Sequence, residues 1–304
     1  MPVKKLAELV EKVKNLPRTR VAVAAGEDPH TIEAVGRGVT EGMIDATLTG
    51  DETKIKEVAS EYEIDPGIFK IIHIPDERVA AIKAVELVNS GEADFLMKGF
   101  MDSAIYMRAI LDKEKGLLPP GKTLSHVTVL EVPSYHKLLV ATDVAVLIAP
   151  DLKQKVAMIG YAVDIAHRLG IERPKVAILA AVEKVNPKMD ATMDAAILTQ
   201  MNRRGQIKGC IIDGPLAMDL AVSEESKRIK GVESEVAGDA DVLIFPDIEA
   251  GNIFYKATTN FAGAHLSAIV TGAKVPCVLT SRGDNEDSKF YSIALAALMA
   301  GKGE

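Results

Sequence analysis

The chain has 304 residues, 48% of them hydrophobic and 26% charged, with a formal net charge of −7 at neutral pH. That size suits one large or two ordinary soluble domains with a substantial core, and the acidic balance argues against a nucleic-acid surface, which needs a basic face. Tryptophan is absent and aromatic residues make up 4%, too few for a base-stacking platform.

The predicted elements begin with an amphipathic helix. Leu6, Leu9, Val10, Val13 and Leu16 recur at helical spacing. The charges of this segment are spread along it with no apolar central block, so it does not read as a secretory leader. A rhythm of short apolar runs and helical patterns follows. RVAVAAG (20–26) is a strand, and DPHTIEAVGRGVTEGM is a helix with Asp28 or Thr31 as its cap. DATLTG (45–50), KIIHIP (70–75) and DFLMKG (94–99) are strand-like, and each leads into a helical pattern, the last being MDSAIYMRAILDKEKG. HVTVLEVP (126–133) and KLLVATD (137–143) break the rhythm, being two strands with only a short polar link, as in a hairpin. No apolar run reaches membrane-span length, and KLLVATDVAVLIAP is interrupted by Asp143.

Alternation resumes with a helix from about Lys153 to Leu169. The strand KVAILAAV (175–182), a helix around DATMDAAILTQM and the strand KGCIID (208–213) follow. Next come a helical stretch at SEESKRIKG, the strand DVLIFPD (241–247), a helix over NIFYKATTNFAGAHLSAIV, the strand PCVLTS and a final helix. Alternation of this kind means βαβ units and mainly parallel sheets. Two α/β domains are expected, 1–145 and 146–287, with the last helix, 288–304, a candidate to rejoin the first. The site is expected in an interdomain cleft at the carboxyl ends of the strands.

Four strand ends carry polar or glycine-rich turns: MKGFMDS (97–103), DGPLAMD (213–219), FPDIEAGN (245–252) and TSRGDNED (280–287). None is a phosphate-binding GxxxxGK[ST] loop. GRGVTE (36–41) lacks the third glycine of a dinucleotide fingerprint and follows a helix. The six histidines show no metal spacing. His126 stands at a strand start, where a hydrogen-bonded structural role outweighs a site role. Asp190 and Asp194 lie four apart on a helix, more often a solvated face than a cation site. Cys210 and Cys277 each sit in an apolar run and read as reduced core residues, which suits a cytoplasmic protein.

What remains suits anions. Arg282 offers a permanently charged planar fork for phosphate oxygens. Ser103 stands at a helix start, where free N–H groups favour an anion, and Arg108 follows on the same helix. Ser281, Asp287 and Ser288 complete the C-terminal group. Each has a plainer reading: Asp287 as a helix N-cap, Ser281 as the end of a strand, Arg282 as a surface partner of Asp284 or Asp287. Their gathering at one edge favours a site.

VAGDADVLIFPDIEAGNIFYK (236–256), TSRGDNEDS, DGPLAMDLA and MKGFMDSAIYMRAIL resemble, in order and across the chain, the phosphate acetyltransferase and phosphate butyryltransferase family. PKVAILAAVEKVNPKMDATMDAA and TLSHVTVLEVPSYHKLL resemble its butyryl branch. The resemblance implies a two-domain α/β architecture like that of isocitrate and isopropylmalate dehydrogenases. It implies reversible acyl transfer, butyryl by preference, between coenzyme A and inorganic phosphate, with no cofactor and no metal, in a homodimer or larger homo-oligomer of the cytoplasm. The family's catalytic serine, arginine and aspartate fall on Ser281, Arg282 and Asp287. Its substrate-binding serine and arginine fall on Ser103 and Arg108, and a serine near the cleft on Ser125. The alternatives are an acetyl or branched-chain specificity and, more remotely, a metal-dependent dehydrogenase of similar fold or a non-catalytic binding protein.

Overall fold

The computed structural model describes residues 2–280 and 285–301. The chain runs α1 (Leu6–Lys14), β1 (Thr19–Ala24), α2 (Pro29–Thr40), β2 (Ile44–Gly50), α3 (Glu52–Glu61), β3 (Lys70–His73), α4 (Glu77–Asn89), β4 (Phe95–Lys98) and α5 (Ser103–Ile110). It continues through β5 (Ser125–Glu131), β6 (Leu139–Thr142), α6 (Leu152–Arg168), β7 (Lys175–Leu179), α7 (Asp190–Arg203) and β8 (Ile211–Leu216). Then come α8 (Met218–Val222), α9 (Glu224–Lys230), β9 (Val242–Ile244), α10 (Ile248–Phe261), β10 (His265–Thr271), β11 (Cys277–Val278) and α11 (Glu286–Ala300).

Contacts divide the chain into two units. One takes Leu6–Leu124 and the chain from Leu266 onward; the other takes Ser125–His265 and the first residues up to Lys5. In the first unit the strand order is β3-β2-β1-β4-β11-β10, and every pairing is parallel except β10 with β11. In the second it is β5-β6-β9-β7-β8, parallel except for the β5–β6 pair. This is the mainly parallel α/β class that the βα rhythm predicts. Strands buried on both faces carry continuous apolar runs: Val21 to Ala24, Phe95 to Met97, Val176 to Leu179 and Val242 to Ile244 are all buried.

The contact division differs from a boundary near 145. The hairpin β5–β6 goes with the second unit because β6 pairs with β9 along Val140–Thr142. The stretch after 265 goes with the first because β11 pairs with β4 at Cys277 and Val278. Local caps set the helix starts: Asp28 accepts from the Thr31 N–H ahead of α2, and Asp151 and Gln154 form a reciprocal capping box on α6.

Three expectations need correction. The helix over 252–270 ends at Phe261. Gly263 follows with φ +64°, a left-handed turn that stops a helix, and His265–Thr271 becomes the buried strand β10. DGPLAMD is not all loop: β8 starts at Ile211, later than KGCIID places it, because Gly209 makes the turn at φ +79°, and it runs through Leu216. The helix after MKGFMDS stops at Ile110, where the Asp112 carboxylate accepts from the Glu114 and Lys115 N–H groups and folds the chain back.

Candidate active site

In the first unit, β1, β4 and β11 lie side by side and parallel. Ala24 is opposite Lys98, and Val278 is opposite Met97. The segments that follow them leave the same carboxyl edge next to one another. They are the turn before α2, the Gly99–Asp102 loop before α5, and Leu279 and Thr280 after β11. The first two are locked at the backbone. Gly99 N–H donates to Ala24 O at 2.9 Å and Phe100 N–H to Ala25 O at 2.6 Å. A Cβ on Gly99 would collide with the Ala25 carbonyl, so only glycine fits. Ala25 itself is left-handed at φ +54°.

Lys98 ends β4 and is 3% exposed. Its ammonium donates to Gly99 O at 3.3 Å and Met101 O at 3.2 Å, bracing the same loop. In the sequence Lys98 is signalled only as a charge at the end of an otherwise apolar run, within MKG.

Asp102 caps α5 through the Ala104 N–H at 2.7 Å, which leaves Ser103 as the first helical residue, exposed at the edge. Arg108 is also exposed and lines a groove of about 390 Å³ with Arg78, Ile82 and Ile105. Five residues along a helix turn two side chains about 140° apart, so α5 does not hold Ser103 and Arg108 on one face.

Asp287 lies in the first turn of α11 and is not its cap. Asn285 fills that role, accepting from the Ser288 N–H at 3.0 Å. The Asp287 side chain, 45% exposed, accepts from Arg37 Nη1 at 3.1 Å. The same nitrogen reaches Glu286 at 3.3 Å, Nε reaches Glu41 at 2.9 Å, and the guanidinium lies 3.7 Å from the Phe290 ring centroid. Lys289, 5% exposed, pairs with Asp28 at 3.1 Å. Burial would raise the Asp28 carboxyl, but hydrogen bonds from Thr31 and the Lys289 charge outweigh it and hold it below its ordinary value. Ser281 and Arg282 lie outside the described residues.

Ser125 opens β5 in the second unit and is fully buried. Its Oγ donates to Asp143 Oδ2 at 3.0 Å and lies 2.8 Å from Thr142 Oγ1. The hydroxyl is thus engaged inside the unit. Asp143, 1% exposed, also accepts from the N–H groups of His126, Ala145 and Val146, each at 2.8 Å. Such a set of donors is what a buried carboxylate requires. Against its backbone packs α10: a Cβ on Gly251 would meet Asp143 O, and Asn252 Nδ2 donates to Val144 O at 2.9 Å.

The signature stretch 236–256 is therefore largely architectural. Asp239 is paired with His136, Lys137 and Lys175, Asp241 with Lys137 at 2.6 Å, and Asp247 caps α10 through the Ala250 N–H.

Cys277 is buried in β11, and burial pushes its thiol up to about 12. Cys210 is half-buried rather than a core residue, because it sits in the turn before β8, and its thiol is pushed by burial up to about 11. Asp194 is held by Lys155 at 2.6 Å, which gives it a cationic partner in place of a metal. Among the described residues no cluster has the make-up of a metal site.

The fold and this edge define an α/β enzyme, and comparison with known proteins identifies its class. The family model described as "Phosphate acetyl/butaryl transferase" matches residues 77–297, and the chain belongs to that family of acyltransferases. It is 47% identical over 98% of its length, and over 99% of theirs, to the phosphate butyryltransferase of Clostridium acetobutylicum. It is 48% identical to the phosphate acetyltransferase of Thermotoga maritima over 97% of its own length and 99% of that protein's. Among solved structures, a branched-chain phosphotransacylase from Enterococcus faecalis V583 superposes with a TM-score of 0.81, at 32% identity, covering 93% of this chain and 99% of that one.

Proposed function

We propose that the chain catalyses reversible transfer of a butyryl group between coenzyme A and inorganic phosphate, butyryl-CoA and phosphate giving butyryl phosphate and coenzyme A, by direct attack in a ternary complex. The observation that carries this reading is the adjacency of β4 and β11, whose carboxyl ends lead into the Ser103 loop and into Leu279 and Thr280. Phosphate and an acyl-CoA repel each other, and gathering them needs fixed donors and positive charge.

In the forward direction a phosphate oxygen attacks the thioester carbonyl carbon, a C–O bond forms, and the C–S bond breaks. Arg282 would orient the phosphate and stabilise charge moving onto the carbonyl oxygen, with Ser103 contributing to the anion site and Arg108, on another face of α5, contacting a separate part of the substrates. Ser281 would donate to that oxygen or to the leaving sulfur. Asp287 would take the proton shed by the attacking hydrogen phosphate and pass it to the departing thiolate; in reverse it would take the proton from the attacking thiol, which at neutral pH is mostly protonated, and return it to the released phosphate.

An acyl-cysteine route is disfavoured. Thiols pushed up to about 11 and about 12 are poor nucleophiles at neutral pH, and Cys277 lies sealed inside a strand.

Acetyl or branched-chain acyl groups are the competing substrates, since one methylene in an apolar pocket is worth only about 1–3 kcal/mol. Thiol release from acetyl-, propionyl-, butyryl- and isobutyryl-CoA, measured with and without phosphate, tests the proposal. Phosphate-dependent release fastest with butyryl-CoA supports it; release that ignores phosphate defeats it. A homodimer or larger assembly in the cytoplasm, serving butyrate metabolism, completes the reading, and light scattering of the purified chain tests the assembly.

A further inference from the structure

We propose that Arg37 is a positioning residue for the reaction: it holds the Asp287 carboxylate in one orientation at the start of α11. This rests on the reading of Asp287 as the proton carrier.

The glycines flanking Arg37 explain how the side chain comes to be there. A Cβ on Gly36 would approach Ile64 at 3.1 Å, and one on Gly38 would approach Ile44 at 3.0 Å and Ile293 of α11 at 3.6 Å. Ile44 is fully buried and Ile64 partly so, and larger residues at Gly36 and Gly38 would push α2 away from them. The GRG of GRGVTE, which fails as a nucleotide fingerprint, is thus a packing device: Gly36 lets α2 close on Ile64 and Gly38 lets it close on Ile44 of β2, with Ile293 of α11 in ordinary contact.

Between the two glycines, Arg37 is fixed from three directions. Its guanidinium rests on the face of Phe290, a fully buried ring. Nε is tied to Glu41 one turn along the same helix. Nη1 is then left facing the first turn of α11, where it donates to Asp287 at 3.1 Å and to Glu286 at 3.3 Å. A ring stack and a second ion pair on one guanidinium remove most of its rotamer freedom, which a lone surface pair does not do. Lys289 to Asp28 adds a second tie between the same two helices. A carboxylate that must meet a sulfur at hydrogen-bond distance gains rate from such fixing, because small misplacements of a reacting group are costly.

The test is a double-mutant cycle on the full chain with Arg37→Gln, Asp287→Asn and the pair together. The readings are kcat, KM for butyryl-CoA, KM for phosphate and the melting temperature. Arg37→Gln is expected to lower kcat by about tenfold to a hundredfold with both KM values within about twofold of the parent, and to cause no further loss in the Asp287→Asn background. A loss of folded protein would instead lower the rate by the same factor in both backgrounds, and that result overturns the proposal, as does a parent-like kcat for Arg37→Gln. If Asp287→Asn alone turns over normally, the proton-carrier reading fails first and the Arg37 proposal with it. Should Arg37→Gln melt much earlier than the parent, Arg37→Lys is carried through the same cycle. It keeps a charge over the Phe290 ring but not the planar fork. It is expected to show a partial kcat loss that vanishes beside Asp287→Asn, and an equal loss in both backgrounds overturns the proposal.

Discussion

Gly251, in the first turn of α10, lies directly against the carbonyl oxygen of Asp143, leaving no room for a Cβ between the helix and the end of β6. The contact is to backbone, which cannot swing aside. Gly251→Ala should therefore destabilise the protein by about 1–3 kcal/mol, the usual range for overpacking a filled site. Urea denaturation measures it, and an unchanged midpoint would show that the helix can shift without strain.

Ser125 gives a second, sharper case. With its hydroxyl buried between Asp143 and Thr142, Ser125→Ala should cost about 1.5–3 kcal/mol of stability by removing one hydrogen bond to a charged group. KM for butyryl-CoA and for phosphate should stay at parent values. A raised KM with an unchanged melting temperature would return the hydroxyl to the substrate.

Arg282→Ala should reduce kcat by about a hundredfold to a thousandfold, the usual effect of removing a donor from a developing charge, and should raise KM for phosphate while the circular dichroism spectrum is preserved. Near-parent kinetics would remove Arg282 from the mechanism.

Replacing both cysteines, Cys210→Ala with Cys277→Ala, should leave turnover intact, because direct transfer needs neither thiol. Cys277 is fully buried, so a drop in melting temperature is expected and is not evidence of a chemical role. A folded double variant without activity would reopen the covalent route.

The acid limb of stability has an identifiable contributor. Burial would raise the Asp239 carboxyl, but hydrogen bonds from Lys137 and Lys175, with their charges and His136, hold it well below its ordinary 3.8. A carboxyl depressed on folding contributes stability that is present above its unfolded value and is lost as pH falls through its folded one. The loss should thus begin near pH 4 and continue below it. Asp239→Asn should be less stable than the parent at pH 7 and should lose less on acidification; parallel curves for the two proteins would contradict this assignment.

Much of the fold was legible because both faces of these strands are buried. Runs such as VLIF and FLM announce interior parallel strands whatever surrounds them. The segment 262–271 was not legible. AGAHLSAIV has the alanine content of a helix, and only the left-handed backbone at Gly263 and pairing with the distant β11 make it a strand. Candidate residues at strand ends were visible as unexplained polarity. Their partners were not, since Asp287 meets Arg37 across 250 positions of sequence, and Ser125 meets Asp143 through a hairpin. Asp143 itself looked like no more than an interruption in an apolar run. Its burial is tolerable only because donors converge on it, and convergence is a property of three dimensions.

β11 lies between β4 and β10, and β4 takes it as a parallel neighbour at Cys277 and Val278. During synthesis β4 leaves the ribosome well before the strand that will flank it, with the whole of 125–265 made in between. Until then its apolar edge has an open row of peptide groups, the kind of surface on which chaperones act and stray strands dock. A chain stopped before residue 277 should thus be insoluble through β4, even though every residue of the Ser103 loop has been made.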